Sequence, residues 1–296
     1  MCVTAKSYLD HAVALGRASA ALATFGDMMR VPGSSADLAS LAAEGVDVRV
    51  VYSPLEALAY ACARAERRVV FLAVGFETTA PTVAAALKRA EAEGVANFFA
   101  LVGHKLIPPA MRALCSDKRL ALDGFLCPAH VSAVIGARAY DEFPRDFGVG
   151  CAVAGFEPAD ILQGLYLLLR QQAERAPRVD NEYTRVVKDG GNAHARAVMA
   201  EVFDVADAEW RGLGALPASG LALRGPYARY DAARAFDVAP EATVPDRGCR
   251  CDEVLIGALE PPECVLFGAA CTPESPVGPC MVSSEGTCAA AYKYRS

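Results

Sequence analysis

The chain has 296 residues, 22% of them charged and 53% hydrophobic, and a formal net charge of −6. That length suits two or three modest domains, and that composition a soluble globular protein with buried cores. An acidic balance with no basic patch interleaved with aromatics excludes a nucleic-acid surface, and the longest apolar run, Val69 to Phe76, is strand-sized rather than membrane-spanning. The N-terminus has no basic segment followed by an unbroken apolar core, so no signal peptide is read and a cytoplasmic setting is expected.

In chain order, the alanine-rich stretch from Ser7 to Ala23 predicts a helix on Leu9, Val13, Leu15 and Leu22. The segment opening at Ala21-Leu22-Ala23-Thr24-Phe25 reads as a short buried strand running into a polar loop. Asp27, Arg30 and Gly33-Ser34-Ser35 then sit at its carboxyl end. Helices are expected over Asp37 to Glu44, Pro54 to Arg67, Pro81 to Gly94, Pro108 to Leu114 and Val131 to Arg138. They alternate with strands over Val46 to Tyr52, Arg68 to Val74, Asn97 to Val102, Gly124 to Cys127 and Gly150 to Ala154. Such alternation defines a parallel, doubly wound α/β architecture, in which functional groups gather where strands end and helices begin.

Several of those junctions carry candidate groups. Gly75-Phe76-Glu77-Thr78-Thr79 and Gly155-Phe156-Glu157-Pro158 both place Gly-Phe-Glu directly after an apolar strand, a hint of two related sheets, and His130 follows a third strand. Thr78, Thr79 and Asp160 also read as helix caps, Glu77 and Glu157 as residues favoured at a helix N-terminus, and His130 as a hydrogen-bonded structural histidine. No Gly-x-Gly-x-x-Gly, no Gly-x-x-x-x-Gly-Lys-Ser/Thr and no Gly-x-Ser-x-Gly occurs, so neither nucleotide binding nor a serine nucleophile has motif support. A long helix is expected from Asp160 to Arg178 with Ile161, Leu162, Leu165, Tyr166 and Leu169 as its apolar face. Beyond it come turns, a helix from Ala193 to Phe203, a packing tryptophan at Trp210 and a short helical piece from Asp231 to Phe236. This third region is expected to be helical and irregular with little strand.

The segment from Cys249 to Cys288 holds six of the eleven cysteines: Cys249, Cys251, Cys264, Cys271, Cys280 and Cys288. Prolines and glycines between them leave irregular backbone with few apolar side chains to bury, so a staple is required. Clustered cysteines in a cytoplasmic chain favour metal or redox chemistry over disulfides. Zinc usually recruits histidine or Cys-x-x-Cys knuckles, and here no histidine follows His194 and no such knuckle occurs. Thiolate-only ligation with wide, uneven spacing points to an iron–sulfur site, although spacing alone does not choose four ligands from six.

The stretches Thr24-Phe25-Gly26-Asp27-Met28-Met29-Arg30-Val31-Pro32-Gly33-Ser34, Gly75-Phe76-Glu77-Thr78-Thr79, Gly155-Phe156-Glu157-Pro158, Trp210-Arg211-Gly212-Leu213-Gly214 and Cys280-Met281-Val282-Ser283-Ser284-Glu285-Gly286 resemble the HypD family of hydrogenase maturation factors. The resemblance runs in family order over essentially the whole chain. It implies two Rossmann-like parallel α/β domains, the first incomplete, and a C-terminal, loop-rich iron–sulfur domain. The divisions expected are residues 1–66, 67–178 and 179–296. The implied activity is that of an assembly scaffold rather than a stand-alone enzyme. With HypC, it builds the Fe(CN)2CO unit of NiFe hydrogenases, receiving cyanide through HypE with HypF upstream. The hydrogenase large subunit is served indirectly, and neither nucleic acid nor membrane is a partner.

The family's cluster motif falls on Cys249, Cys264, Cys271 and Cys288 as ligands of a 4Fe-4S cluster, leaving Cys251 and Cys280 to match a redox-active pair. Glu285 matches a family glutamate that relays a proton or orients the centre. Cys2, His130, Glu77 and Asp27 are expected to line the cleft where iron and its diatomic ligands, carried transiently, are assembled. Family members begin with a Cys-Gly-Thr-His stretch and a Cys-Pro-x-Cys pair, so Cys2 corresponds to the second cysteine of that pair and the chain reads as N-terminally truncated. Ala129 stands where the family has glycine. Two other readings are an iron–sulfur thiol:disulfide oxidoreductase and a zinc-stapled structural module.

Overall fold

The computed structural model describes residues 2–118, 122–244 and 248–294. The chain opens with α1 (Lys6–Arg17), β1 (Ala21–Thr24), α2 (Leu38–Ala43), β2 (Val48–Val50), α3 (Pro54–Ala63), β3 (Val69–Ala73), α4 (Ala80–Ala92) and β4 (Phe98–Val102). The Asp37 carboxylate accepts the Ser40 N–H (2.7 Å) at the start of α2, and Ser53 caps α3 with Pro54 in its first turn. The strands β1 and β3 are buried throughout and β4 nearly so, as continuous apolar runs covered on both faces must be. They form a parallel sheet in the order β2-β1-β3-β4, with Ala21 paired to Val69 and Val69 to Phe98. One face packs on α3 and α4 through Ala57, Leu58, Val83 and Leu87. The other packs on α1 and α2 through Leu9, Val13, Leu38 and Leu41.

A second parallel sheet follows: α5 (Ile107–Ser116), β5 (Gly124–Pro128), α6 (Ala129–Ile135), β6 (Gly150–Ala154), α7 (Pro158–Glu174) and β7 (Val179–Asn181), in strand order β5-β6-β7. Its core gathers Met111, Cys127, Tyr140, Phe143, Cys151 and Val153. The helix α7 is turned the opposite way from expectation. Leu162 and Leu169 are about two-thirds exposed (67% and 70%), while Asp160, Gly164, Leu167 and Gln171 face the sheet. Gly164 fixes this rotation, because a Cβ there would stand 2.5 Å from Leu126 and 2.8 Å from the Ala154 methyl.

The chain then returns to the first sheet. The helix α8 (Ala193–Val202) packs on α4, and the hairpin β8 (Phe203–Trp210) and β9 (Gly214–Leu223) follows it. Val202, Phe203, Leu223 and Tyr230 join one face of the first core, while Ala232 and Phe236, at and just beyond α9 (Ala232–Ala235), join the other. The hairpin corrects the expectation of little strand here. Its strands are rich in alanine, aspartate and glycine, with a bulge between Ala206 and Ala208, so no clean two-residue alternation marks them. The expected division at 66/67 passes through the first sheet, between β2 and β3. The division at 178/179 cuts β7 from its sheet and assigns residues 193–236 away from the core that they complete. Strand–helix alternation gives the class but not which strands pair.

The cysteine-rich segment carries α10 (Cys251–Leu255), α11 (Pro279–Val282) and α12 (Thr287–Tyr294) around a small cluster of Cys271, Met281 and Ala289. It is tied to the first sheet by polar contacts. Arg30 Nη2 donates to the Pro273 and Glu274 carbonyls (3.3 and 3.1 Å), and Arg211 donates to the Pro32 and Val277 carbonyls (3.2 and 3.3 Å). No helix among the described residues is long and apolar enough to cross a membrane.

Asp10, fully buried on α1, accepts hydrogen bonds from the Ser34 N–H and hydroxyl (2.6 and 2.8 Å) and the Thr243 hydroxyl (2.9 Å). Asp10→Ala strands these donors and is expected to cost roughly 3 kcal/mol, read as a lower urea midpoint with unchanged denaturant slope.

Candidate metal centre and adjoining cleft

Cys249, Cys251, Cys264, Cys271, Cys280 and Cys288 all line one cavity, walled also by Val254, Leu266, Phe267 and Met281. None of the six is joined in a disulfide. The backbone is shaped to bring them there. A Cβ at Gly278 would stand 2.2 Å from Cys249 Sγ, so only glycine leaves that sulfur its place. The Val277 N–H donates to Cys271 Sγ (3.3 Å). Cys280 touches Cys251 and Cys288, and these hydrogen bonds, with burial, raise its thiol far above the ordinary range while Cys288 is lowered by accepting from it. Cys251 lies beneath Gly212, whose positive φ of 87° suits glycine and whose Cβ would meet Cys251 Sγ at 3.0 Å.

Among the described residues, no three His, Cys, Asp or Glu side chains converge on a position for a single metal ion. Soft thiols spaced around an apolar cavity, with a backbone N–H aimed at one sulfur, fit the wider ligand sphere of an iron–sulfur cube better than tetrahedral zinc.

Beside this cavity lies a cleft of about 530 Å³ lined by Cys2, Asp27, Arg30, Phe76, Ser283, Ser284 and Glu285. Asp27 and Arg30 come from the loop after β1 and Phe76 from the loop after β3, so the cleft opens at the carboxyl edge of the first sheet. Cys2 is held there because Val3 accepts the Arg211 N–H (3.0 Å) and Thr4 bridges Trp210. Phe76 lies against Trp210 with ring centroids 6.2 Å apart. His130, from the second sheet, stacks on Phe156 at 4.9 Å; partial burial lowers its pKa, and Glu285 opposes that shift. The segment from Cys280 to Cys288 serves both sites: its cysteines and Met281 wall the cavity, and Val282 to Glu285 wall the cleft.

The HypD family model, described as "Hydrogenase formation hypA family", matches residues 1–295. The chain is 45% identical over 302 residues to the hydrogenase maturation factor HypD of Azotobacter vinelandii, covering 99% of this chain and 80% of that relative. It is 44% identical over 297 residues to the hydrogenase maturation factor HypD of Escherichia coli (strain K12), covering 100% and 80%. It is 44% identical over 300 residues to the Rhodobacter capsulatus protein of the same name, covering 99% and 80%. The chain belongs to the HypD family.

Of the residues that the HypD resemblance pointed to, Cys2, Asp27 and Glu285 share the cleft and His130 is electrostatically coupled to Glu285, while the six cysteines share the cavity. Glu77 is elsewhere. It is 3% exposed, its Oε1 accepts the Ile107 N–H at the start of α5 (2.9 Å), and its Oε2 is buried without a partner. It lines a separate pocket with Val134, Arg196 and Phe203. Phe76 reaches the cleft and Glu77 turns from it, in the tight turn leading into α4 whose Thr79 and Ala80 N–H groups donate to the Phe76 carbonyl (3.1 and 3.3 Å). Sequence reasoning chose the carboxylate and missed Phe76, Arg30, Ser283 and Ser284, although each stood inside a motif already singled out. It also passed over His104, 1% exposed with both ring nitrogens unpartnered, which burial takes down to about 3, and Lys105, which burial takes down to about 8.

Burial pushes the Glu77 carboxyl up to about 7, against the Ile107 N–H that favours the charged form. A carboxyl raised by folding contributes stability that is complete below its unfolded value near 4.5 and is lost as pH rises through about 7. Relative to Glu77→Gln, the wild type is expected to lose about 3 kcal/mol between those limits. Paired urea titrations across that range measure the difference.

Proposed function

We propose that this chain is a hydrogenase maturation factor: a redox-active iron–sulfur scaffold on which, with HypC, the Fe(CN)2CO unit is assembled, with cyanide arriving through HypE and HypF. The observation that carries the reading is the shared segment from Cys280 to Cys288, which puts a six-thiol cavity wall to wall with a cleft holding a thiol, two carboxylates and an arginine. Maturation-factor relatives at about 44% identity over nearly the whole chain support it.

Cys249, Cys264, Cys271 and Cys288 would hold the 4Fe-4S cluster, which when bound supplies single electrons. Cys251 and Cys280, in contact at the cavity wall, form a dithiol that stores two electrons and releases them with two protons to an external two-electron acceptor as the disulfide forms. In the cleft, Cys2 offers the soft thiolate that low-spin iron with cyanide and carbon monoxide ligands prefers. Asp27 and Glu285 offer carboxylates to a bound cation, His130 outside the lining feels the charge of Glu285, and Phe76 excludes water from one wall. The incoming iron and its diatomic ligands are substrate in this reading. The Cys251–Cys280 contact equally favours a thiol:disulfide oxidoreductase, for which turnover with a dithiol would proceed without HypC or HypE.

Anaerobically purified chain is expected to contain about four irons and four acid-labile sulfides, and Cys249→Ala none. Zinc without sulfide would overturn the redox reading. Gly278→Val, which drives a side chain into Cys249, is expected to lose most of the bound iron, whereas Cys251→Ser keeps it and loses hydrogenase maturation. Wild-type maturation in Cys251→Ser would remove the pair's role.

A further inference from the structure

Arg211 is 6% exposed, and its bonds run to three separate parts of the molecule. Its backbone N–H donates to the Val3 carbonyl (3.0 Å), next to Cys2. Its Nη1 donates to the Pro32 carbonyl (3.2 Å), at the end of the loop that presents Asp27 and Arg30 to the cleft. Its Nη2 donates to the Val277 carbonyl (3.3 Å), and the N–H of that same Val277 donates to Cys271 Sγ (3.3 Å). The residue is fixed in turn by its neighbours. Trp210 packs on Phe76 and donates through Nε1 to Ser219 Oγ (2.8 Å), while Gly212 turns the chain at φ 87° directly over Cys251 Sγ.

A planar guanidinium has donors on separate nitrogens at fixed angles, so one side chain sets the distance between two carbonyls; an ammonium, a point donor on a flexible stem, does not. We infer that Arg211 is a positioning residue that holds the Cys2 segment, the Asp27–Arg30 loop and the Val277–Cys271 side of the cysteine cavity in one register. A displacement of Cys271, as on filling or emptying the cavity, is passed through the Val277 peptide unit and the guanidinium to Pro32, and through the same residue's backbone to Cys2. The value of this coupling to assembly rests on the reading proposed above, but the clamp itself is a property of the chain without any bound group.

The experiment is site-resolved alkylation of the reduced, metal-free chain with iodoacetamide, followed by peptide mass spectrometry, for wild type, Arg211→Lys and Arg211→Gln. Cys127, buried in the second sheet, reports unfolding of that sheet, and a circular-dichroism melt of each variant reports unfolding of the rest. The backbone N–H bond to Val3 survives both substitutions, so Cys2 loosens only if the guanidinium positions that backbone; the modification rates of Cys2 and Cys271 are therefore expected to rise together by about tenfold in both variants, with Cys127 unchanged. A residue that merely packs would loosen one of the two alone or neither. Either result overturns the inference, as does modification of Cys127 in both variants, which would make Arg211 a determinant of the fold. Because no iron enters the assay, its outcome is independent of the iron and sulfide count that decides the proposed function.

Discussion

The cysteine-rich segment buries too little apolar surface of its own to hold itself in place, and polar contacts from Arg30 and Arg211 to its backbone carbonyls, together with Val282 packed on the first core, seat it on the first sheet. A segment whose own core is Cys271, Met281 and Ala289 takes its shape from its thiols, from its glycines and from the body it leans on. Backbone carbonyls are suitable handles in such a segment, since irregular loops leave many of them unpaired and a buried carbonyl must find a donor. The same contacts decide where the cavity lies relative to the cleft.

The cleft is a product of sheet geometry. Parallel strands deliver their following loops to one edge, so Asp27 and Arg30 after β1 and Phe76 after β3 reach the same space. His130 lies against Phe156 after β5 and β6 of the second sheet and, against expectation, is not part of the cleft lining. The cysteine-rich segment closes this space from a third side with Ser283, Ser284 and Glu285. Thus the groups that face one another in the cleft come from the N-terminal segment, the loops of the first sheet and the cysteine-rich segment.

The fold class was legible because β1, β3 and β4 are unbroken apolar runs and the helices between them carry caps or prolines at their starts. Partnership was not. Nothing local in Val69–Ala73 says that it pairs with Ala21–Thr24, and nothing in Phe203–Leu223 announces a hairpin when its strands are made of alanine, aspartate and glycine. The face of α7 was misjudged for a related reason: both its faces are partly apolar, and the close approach at Gly164, not the leucine count, chose the buried one. At the site, the cysteines were legible from type and spacing, whereas Glu77 was placed on the wrong side of its own turn because direction after a strand is a three-dimensional property.

The path of the chain through its two sheets has a consequence for how the molecule is made. Residues 107–192 form a guest unit inserted into a host whose first part ends at Val102 and whose cover arrives only with residues 193–236. On a ribosome, the host's strands emerge first but cannot be finished, since Val202, Phe203, Tyr230 and Phe236 have yet to be synthesised. The guest closes through shorter loops and reaches its native packing while the host waits open, so vectorial synthesis assembles the inner unit before the outer one. The host's long-range bridges, Thr4 to Trp210 and Ala100 to Asp231, form after the guest is already in place, and the cysteine-rich segment, synthesised after both, meets a surface already prepared to receive it.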